Sequence, residues 1–407
     1  MRNVDADVIV VGAGLVGIAA AISLAKQSTD KSYHVVLVDQ KPTIIKLTSA
    51  FDSRIYAISP STVNWFKKLG VWQKVDATRI NPIKAMHIFG DANKSELKLL
   101  ASEANAASLG YIIESQQLMS ALWQRLQELN IEIITDIACQ NLAITTQQAS
   151  LTLANQQVIK TKLVVAADGV DSWVRTQTNI VVKNKGYQQT AIVANFRCEK
   201  SHQDIARQWF GSGEYGSDSV LAFLPLPNNQ ISIVWSLAMA KAQQLLDLSE
   251  SDFTRQLSLQ TADKLGLLNS LSSRMSFDLY KKSCTRLIAE RVVLVGDAAH
   301  QIHPMAGQGL NLGFRDVMAL EQVLFGSQSI VSSSLSATTN EIGSLRSLRQ
   351  YERTRAADIL SMMNLTDGLH QLFSAKANMI KTLRNWGLSK IDRQLLIKKY
   401  LIQQATN

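Results

Sequence analysis

Cysteine is scarce, with three residues in a chain of 407: Cys139, Cys198 and Cys284. Their wide spacing fits neither a metal site nor a redox pair, and no metal is expected. An odd, sparse set suits a reducing compartment, which points to the cytoplasm and excludes a disulfide framework. No internal repeat is visible. The net charge is +9, yet no zinc spacing or aromatic-rich RNA signature accompanies it, so nucleic acid is not an expected partner. Long apolar runs are also missing, with one exception. Val8 to Ala25, "VIVVGAGLVGIAAAISLA", is long enough to imitate a membrane span or a signal segment. Three glycines inside it give it a better account.

What is present is a large apolar fraction, 46%, in a chain long enough for two or three domains. Val8–Val11 reads as a short buried strand, Leu15–Lys26 as a helix and Val35–Val38 as a second strand. This is a βαβ unit that starts a parallel sheet. Leu163–Ala167 and Val292–Val295 read as further buried strands, each followed by Gly and Asp. Strand-like runs at about 190–196, 220–226 and 231–237, with a hairpin turn in "LPNNQIS", predict a mostly antiparallel sheet inserted into the nucleotide fold. Ser327–Ser344 is polar and reads as a loop. Helical patterns follow, with Leu372, Met379, Leu383 and Trp386 on one stripe.

Gly12-Ala13-Gly14-Leu15-Val16-Gly17 fits G-x-G-x-x-G between strand and helix. Gly12 allows the tight turn, Gly14 lets backbone approach a pyrophosphate, and Gly17 lets the helix pack against the strand. The helix N-terminus then offers unpaired N–H groups to phosphate. Asp39, ending the second strand, can accept both hydroxyls of an adenosine ribose. These features suit NAD or FAD equally. In "LVVAADGVDSWVR", a strand delivers Asp168 and Gly169 to the carboxyl edge of the sheet, where ligands of such folds bind. In "RVVLVGDAAHQIHPMAGQGLN", Gly296 and Asp297 reach the same edge. A carboxylate there can bind ribityl hydroxyls, which FAD has and NAD lacks. Pro304 stiffens the loop against a planar ring, and Gly307, Gln308, Gly309, Leu310 and Asn311 offer N–H groups at a helix start.

In this order and spacing the three motifs resemble those of the class A flavoprotein aromatic monooxygenases, the p-hydroxybenzoate hydroxylase fold group. Within it the chain is similar to the ubiquinone-biosynthesis hydroxylases. "DSRIYAIS" (Asp52–Ser59), "GYIIES" (Gly110–Ser115), "LAFLPLPNNQISIVWS", "YERTRAAD" and "LRNWGL" extend the likeness to nearly the whole chain. It implies an FAD-binding Rossmann-like α/β domain with an inserted antiparallel β-sheet substrate domain and C-terminal helices. The expected FAD domain comprises residues 1–75, 105–186 and 286–325, the substrate domain 76–104 and 187–285, and the helical region 345–407. It further implies that Gly12, Gly14 and Gly17 bind the pyrophosphate and Asp39 the ribose. Arg54 would contact phosphate, Asp168 both FAD and nicotinamide, and Asp297 the ribityl chain. Asp39 stands where many relatives carry Glu, and Ser115 where they often carry an amide.

The implied reaction is ring hydroxylation of a prenylated ubiquinone precursor through a flavin C4a-hydroperoxide, with NAD(P)H as donor and O2 as co-substrate. No second G-x-G-x-x-G is evident, in keeping with relatives that lack one. The chemistry is flavin-centred. His300 and His303, beside the flavin loop, are the candidate catalytic side chains, against packed or surface histidines. Tyr187, Asn195, Phe223 and Trp235 are the candidate substrate contacts, against core positions. Two other readings fit: a hydroxylase of another, soluble aromatic, or a flavin-holding assembly subunit among other quinone-biosynthesis proteins. Residues 376–400 carry Lys376, Lys381, Arg384, Lys390, Arg393, Lys398 and Lys399 against Asp392 alone. A basic helix of this kind can rest on the inner face of an anionic membrane or pack on the protein.

Overall fold

The computed structural model describes residues 4–25, 33–90, 95–211, 215, 219–303, 307–326, 341–374, 390, 392 and 394–406. Three sheets organise them. The first holds eight strands: β1 (Val4–Val11), β2 (Val35–Val38), β8 (Glu132–Ile134), β9 (Cys139–Ile144), β10 (Ala149–Leu153), β11 (Val158–Ala166), β18 (Ile288–Ala289) and β19 (Val292–Leu294). Its spine, β19-β11-β1-β2-β8, is parallel throughout. The spine strands bury every residue over Val8–Val11, Val35–Val38, Leu163–Ala166 and Val292–Leu294, as a parallel sheet covered on both faces requires. The helices α1 (Leu15–Ala25), α2 (Pro60–Leu69), α3 (Ser115–Gln127), α4 (Trp173–Gln177) and α7 (Gly309–Phe325) belong to this body.

The second sheet holds nine strands: β5 (Ala85–Phe89), β6 (Glu96–Leu100), β12 (Val182–Cys198), β13 (Ile205–Phe210), β14 (Val220–Leu226), β15 (Gln230–Ala238), β16 (Leu268–Ser270), β17 (Met275–Cys284) and β20 (His300–Gln301). Only the β13–β5 pair is parallel. Asn228 and Asn229, both with φ near +55 to +59°, turn the chain between β14 and β15, as "LPNNQIS" suggests. Helices α5 (Met239–Leu246) and α6 (Glu250–Thr261) cover one face of this sheet, over Trp209, Phe223 and Trp235, with Phe253 of α6 packed on Trp235. A small third sheet joins β3 (Ile55–Ile58), β7 (Gly110–Glu114) and β4 (Asn81–Ile83) between the two. The stretch 76–104 therefore divides between two sheets, and β20 crosses from the nucleotide-fold segment to pair with β17.

Val8–Ala25 is a strand, a glycine turn and a helix, and among the described residues no helix is long and apolar enough to cross a membrane. The long α8 (Leu345–Ser374) and α9 (Leu395–Thr406) follow. Of the expected apolar stripe, Leu372 lies exposed on α8, while Met379, Leu383 and Trp386 lie outside the described residues. Lys398, in the basic run, is buried and paired with Glu103 and Asp392.

Candidate functional site

The parallel spine ends its strands on one edge. There stand Gly12 after β1, Asp39 after β2, Asp168-Gly169 after β11 and Gly296-Asp297 after β19. This edge, where the strand order reverses around β1, is the ligand-binding position of doubly wound folds.

The glycines divide by what a side chain would meet. At Gly12, with φ +108°, a Cβ would stand 2.4 Å from the Ala167 carbonyl oxygen. At Gly17 it would stand 1.8 Å from the Gly12 oxygen. Both positions are closed by backbone. At Gly14 it would meet nothing within 4 Å. Gly14 thus presents bare backbone to open space at the start of α1. Asp39 accepts from the Ala13 N–H at 2.6 Å and from the Lys41 N–H at 2.8 Å, which fixes its carboxylate beside the turn.

Asp168 accepts from the Val174 N–H at 3.0 Å through Oδ2, while its buried Oδ1 has no partner among the described residues. Burial raises its carboxyl above the ordinary range, against bonds from Ser172 and Val174. Such an orphaned acceptor fits a ligand that donates hydrogen bonds. Arg175 ties this loop to the next, donating to Val170 O at 2.9 Å and Ala298 O at 2.8 Å. Asp297 opens into the cleft and is reached by solvent, yet protein crowds it enough that desolvation raises its carboxyl too, with His300 and Arg54 pulling the other way.

Behind Asp297 lies a network that motif reading missed. Asp316 of α7 accepts from the Gly296 N–H at 2.9 Å, from His300 Nε2 at 2.7 Å and from Arg355 Nε at 2.7 Å. Its carboxyl is fully buried; His300 and Arg355 hold it ionised against that burial. Gly313 belongs to the same packing, since a Cβ there would stand 2.9 Å from Val16 and 3.1 Å from the Gly296 backbone. Both residues lie inside the "GLNLGFRDV" stretch, at helical spacing from Gly309, so the signal was present.

Gly307 has φ +60°, and Gly309–Asn311 opens α7. Leu310 packs on the main core, and Gln308 stands at the N-cap position, its carbonyl accepting from the Leu312 N–H. The Asn311 side chain is fully buried: its amide donates to Ala57 O at 2.8 Å and its oxygen accepts from the Ser59 N–H at 2.9 Å. It therefore locks α7 to the end of β3. Pro304 lies outside the described residues. Arg54 is exposed, with its guanidinium 5.7 Å from the Tyr56 ring, and its loop is held from below. Arg79 makes two bonds to Glu114, at 2.6 and 2.7 Å, and donates to Ser49 O and Ala50 O. Glu114 also accepts from the Asp52 N–H at 2.7 Å.

His300 and His303 are both buried and bonded, so neither stands free as an acid or base. His300 is ion-paired with Asp316; His303 Nε2 meets Gln189 Oε1 at 3.0 Å and its ring lies edge-on to Tyr187 at 4.8 Å. Tyr187 donates to Asp367 of α8 at 2.7 Å, which also pairs with Lys281.

The expected substrate contacts need correction. Phe223 and Trp235 are buried in the core under α5 and α6, on the far face of the second sheet. Asn195 faces the cleft side but is committed, donating to Phe51 O at 3.1 Å and Asp52 O at 3.0 Å. Strand alternation explains this: neighbours in sequence point to opposite faces. Directly opposed residues share a face. Asn195 therefore lies with Val193 and Ala191, opposite Ser232, Val234 and Ser236 of β15, which in turn oppose Leu224, Ala222 and Val220 of β14. Gln189, bound to His303, begins the same row. A floor of mostly small side chains thus runs from His303 to the 51–54 loop. Ala222, Leu224 and Val234 are only partly covered.

The FAD binding domain family matches residues 5–356, and the chain belongs to it. Its cofactor is FAD, and the Gly14 backbone, the orphaned Asp168 oxygen and the cleft-facing Asp297 carboxyl fit that group. The chain is 31% identical to the 3-demethoxyubiquinol 3-hydroxylase of Escherichia coli, over 100% of this chain and 99% of that one. It is 31% identical to the ubiquinone hydroxylase UbiL of Rhodospirillum rubrum, over 98% and 89%. Among solved structures, the p-nitrophenol 4-monooxygenase PnpA of Pseudomonas putida shares the fold at a TM-score of 0.76 and 16% identity, over 100% of this chain and 99% of that one. The fold is that of the p-hydroxybenzoate hydroxylase group, an FAD-binding α/β body joined to a mostly antiparallel sheet.

Proposed function

We propose that the protein is an FAD-dependent monooxygenase that hydroxylates the aromatic ring of a prenylated ubiquinone precursor, with NAD(P)H as electron donor and O2 as co-substrate. One observation carries the reading: three carboxylates, Asp39, Asp168 and Asp297, stand at the switch edge of the parallel sheet, and the Asp297 turn runs into β20, which pairs with the second sheet. The two relatives named for ubiquinone-type rings support the substrate class.

Residues 1–75, 105–186 and 286–325 are assigned to the FAD domain, 76–104 and 187–285 to the substrate domain, which includes β4 of the third sheet, and 345–407 to the helical region. Gly12 and Gly17 shape the turn, Gly14 takes the pyrophosphate and Asp39 the ribose hydroxyls. Arg54 neutralises phosphate. Asp168 and Asp297 accept from the cofactor's hydroxyls, and Gly307–Leu310 border its ring. Held by Gly14, Asp39, Arg54, Asp168 and Asp297, FAD would supply the redox chemistry that couples NAD(P)H oxidation to ring hydroxylation by O2, with the second oxygen atom leaving as water. The chain itself binds, orients and excludes water. Arg175 and Asp316 hold the Asp168 and Asp297 loops in one register. The partly covered side chains of the floor, Ala222, Leu224 and Val234, are where a ring would lie. Contact with other quinone-biosynthesis proteins and with the inner membrane face belongs to the same proposal. Lys398 is committed to Glu103, so a membrane contact would use other basic residues of that run.

The test is turnover of the FAD-loaded protein with a short-chain prenylphenol under 18O2. Incorporation of one labelled oxygen into the ring, coupled to NAD(P)H oxidation, is expected. NAD(P)H oxidation that yields only peroxide with every prenylphenol would overturn the reading.

A further inference from the structure

The floor does not end at β12. Phe277 of β17 lies directly opposite Ala191, and Met275 directly opposite Val193, so both side chains share the cleft-facing side of the sheet. Both are large, apolar and unusually open, at 48% and 53% exposure. Leu271, whose N–H donates to Asn195 O, adds a third exposed apolar side chain beside them. The Met275 sulfur accepts from the Ser53 hydroxyl at 2.9 Å, which sets this edge against the loop that carries Arg54. On the far side, β17 pairs with β20, which leads into His303. An apolar ledge therefore continues the floor outward, between the two loops that flank the site.

We propose that Met275, Phe277 and Leu271 form the exit ledge for the substrate's hydrocarbon tail, and that they set the preference for prenylated over tail-less rings. The inference rests on the proposed reading of the site as a ring-hydroxylating one. A ring on the floor at Ala222 and Val234 has helix-backed core beneath it and the third sheet beyond β14. The β17 edge is the side where the floor reaches solvent, and on the floor-side face of that edge the exposed side chains, Met275 and Phe277, are apolar. A polar substrate would gain nothing from them. An isoprenoid chain would cover them and remove their apolar surface from water.

The experiment measures binding to the FAD-loaded protein, through the flavin absorbance change, for a phenol with no tail and the same phenol with three isoprene units. Wild type should bind the tailed phenol about tenfold or more tighter. The Met275→Ser/Phe277→Ser variant should lose about tenfold of affinity for the tailed phenol alone. Leu259→Ser, which alters an exposed leucine on α6, should keep the wild-type ratio. Equal weakening of both phenols, an unchanged ratio in the double variant, or no tail preference in wild type would each overturn the ledge. So would a double variant that loses only co-sedimentation with anionic vesicles, since the patch would then meet lipid rather than substrate. Tail-dependent binding without hydroxylation would keep the ledge and sink the proposed activity.

Discussion

Gly14 and Gly17 belong to one motif but should fail in different ways. At Gly17 an alanine Cβ would stand 1.8 Å from the Gly12 carbonyl oxygen and 3.1 Å from the Ala167 Cβ. Neither neighbour is a flexible side-chain end, so α1 must shift away from the strand turn. Overpacking of this kind costs about 3 kcal/mol, and the better helix propensity of alanine returns about 1 kcal/mol. The net loss of about 2 kcal/mol should lower the melting midpoint of the apoprotein by about 2–3 °C. At Gly14 nothing lies within 4 Å, so Gly14→Ala should leave the apoprotein midpoint within about 1 °C of wild type. Its methyl group would occupy the space that a pyrophosphate needs, at the cost of one charged hydrogen bond. FAD affinity should fall about 10- to 150-fold. Thermal melts of the FAD-free proteins and FAD titration by flavin fluorescence read the two effects separately. Equal destabilisation by both variants, or wild-type FAD affinity in Gly14→Ala, would refute the division between packing and ligand glycines.

Glu114→Ala strips the partner from Arg79, whose side chain is only 13% exposed, and should destabilise the protein by about 3–5 kcal/mol in urea unfolding; a loss below about 1 kcal/mol would mean that the pair does not hold the 49–54 loop. The pH dependence of the apoprotein follows from Asp168 and Asp297, whose carboxyls burial raises. The folded state keeps those protons to higher pH than the unfolded chain. Their favourable contribution is thus complete below the ordinary aspartate value of about 3.9 and is lost as pH rises through the folded-state values. Asp297→Asn removes one such loss, so the FAD-free variant should melt above wild type at neutral pH and converge with it in acid. A lower midpoint at neutral pH would show that desolvation does not govern this carboxyl.

The nucleotide half of the site was legible because its information is local. Gly12, Gly14, Gly17 and Asp39 lie within one βαβ unit, and strand, turn and helix follow from spacing alone. Asp168 and Asp297 each end a buried strand that reads as one without reference to any other. The substrate half was misread because its information is spread over strands. The aromatics of "VLAFLPL" and "ISIVWSL" looked like pocket residues, yet Phe223 and Trp235 point into the α5–α6 core. Which face of a strand meets the cofactor is fixed by register to its neighbours, and a shift of one residue reverses it. The small residues between the aromatics, Ala222, Val234 and Ser236, were the informative ones. Their meaning appears only once Ala191 is seen opposite Ser236 and Phe277.

The Asp316 network joins the two kinds of information. A buried ion pair contributes little net stability, because desolvating its charges offsets their attraction. Asp316 nevertheless sits fully buried between His300 and Arg355. Its third bond, to the Gly296 N–H, indicates what the arrangement does for the fold. His300 opens β20, which pairs with the substrate sheet; Arg355 lies on α8; Gly296 precedes Asp297 on the nucleotide sheet. One carboxylate therefore fixes three segments that converge on the Asp297 turn. An apolar side chain of similar size could fill the space but could not hold all three in one register. The carboxyl that faces the cleft and the edge of the floor beside it are thus positioned by the same buried charge.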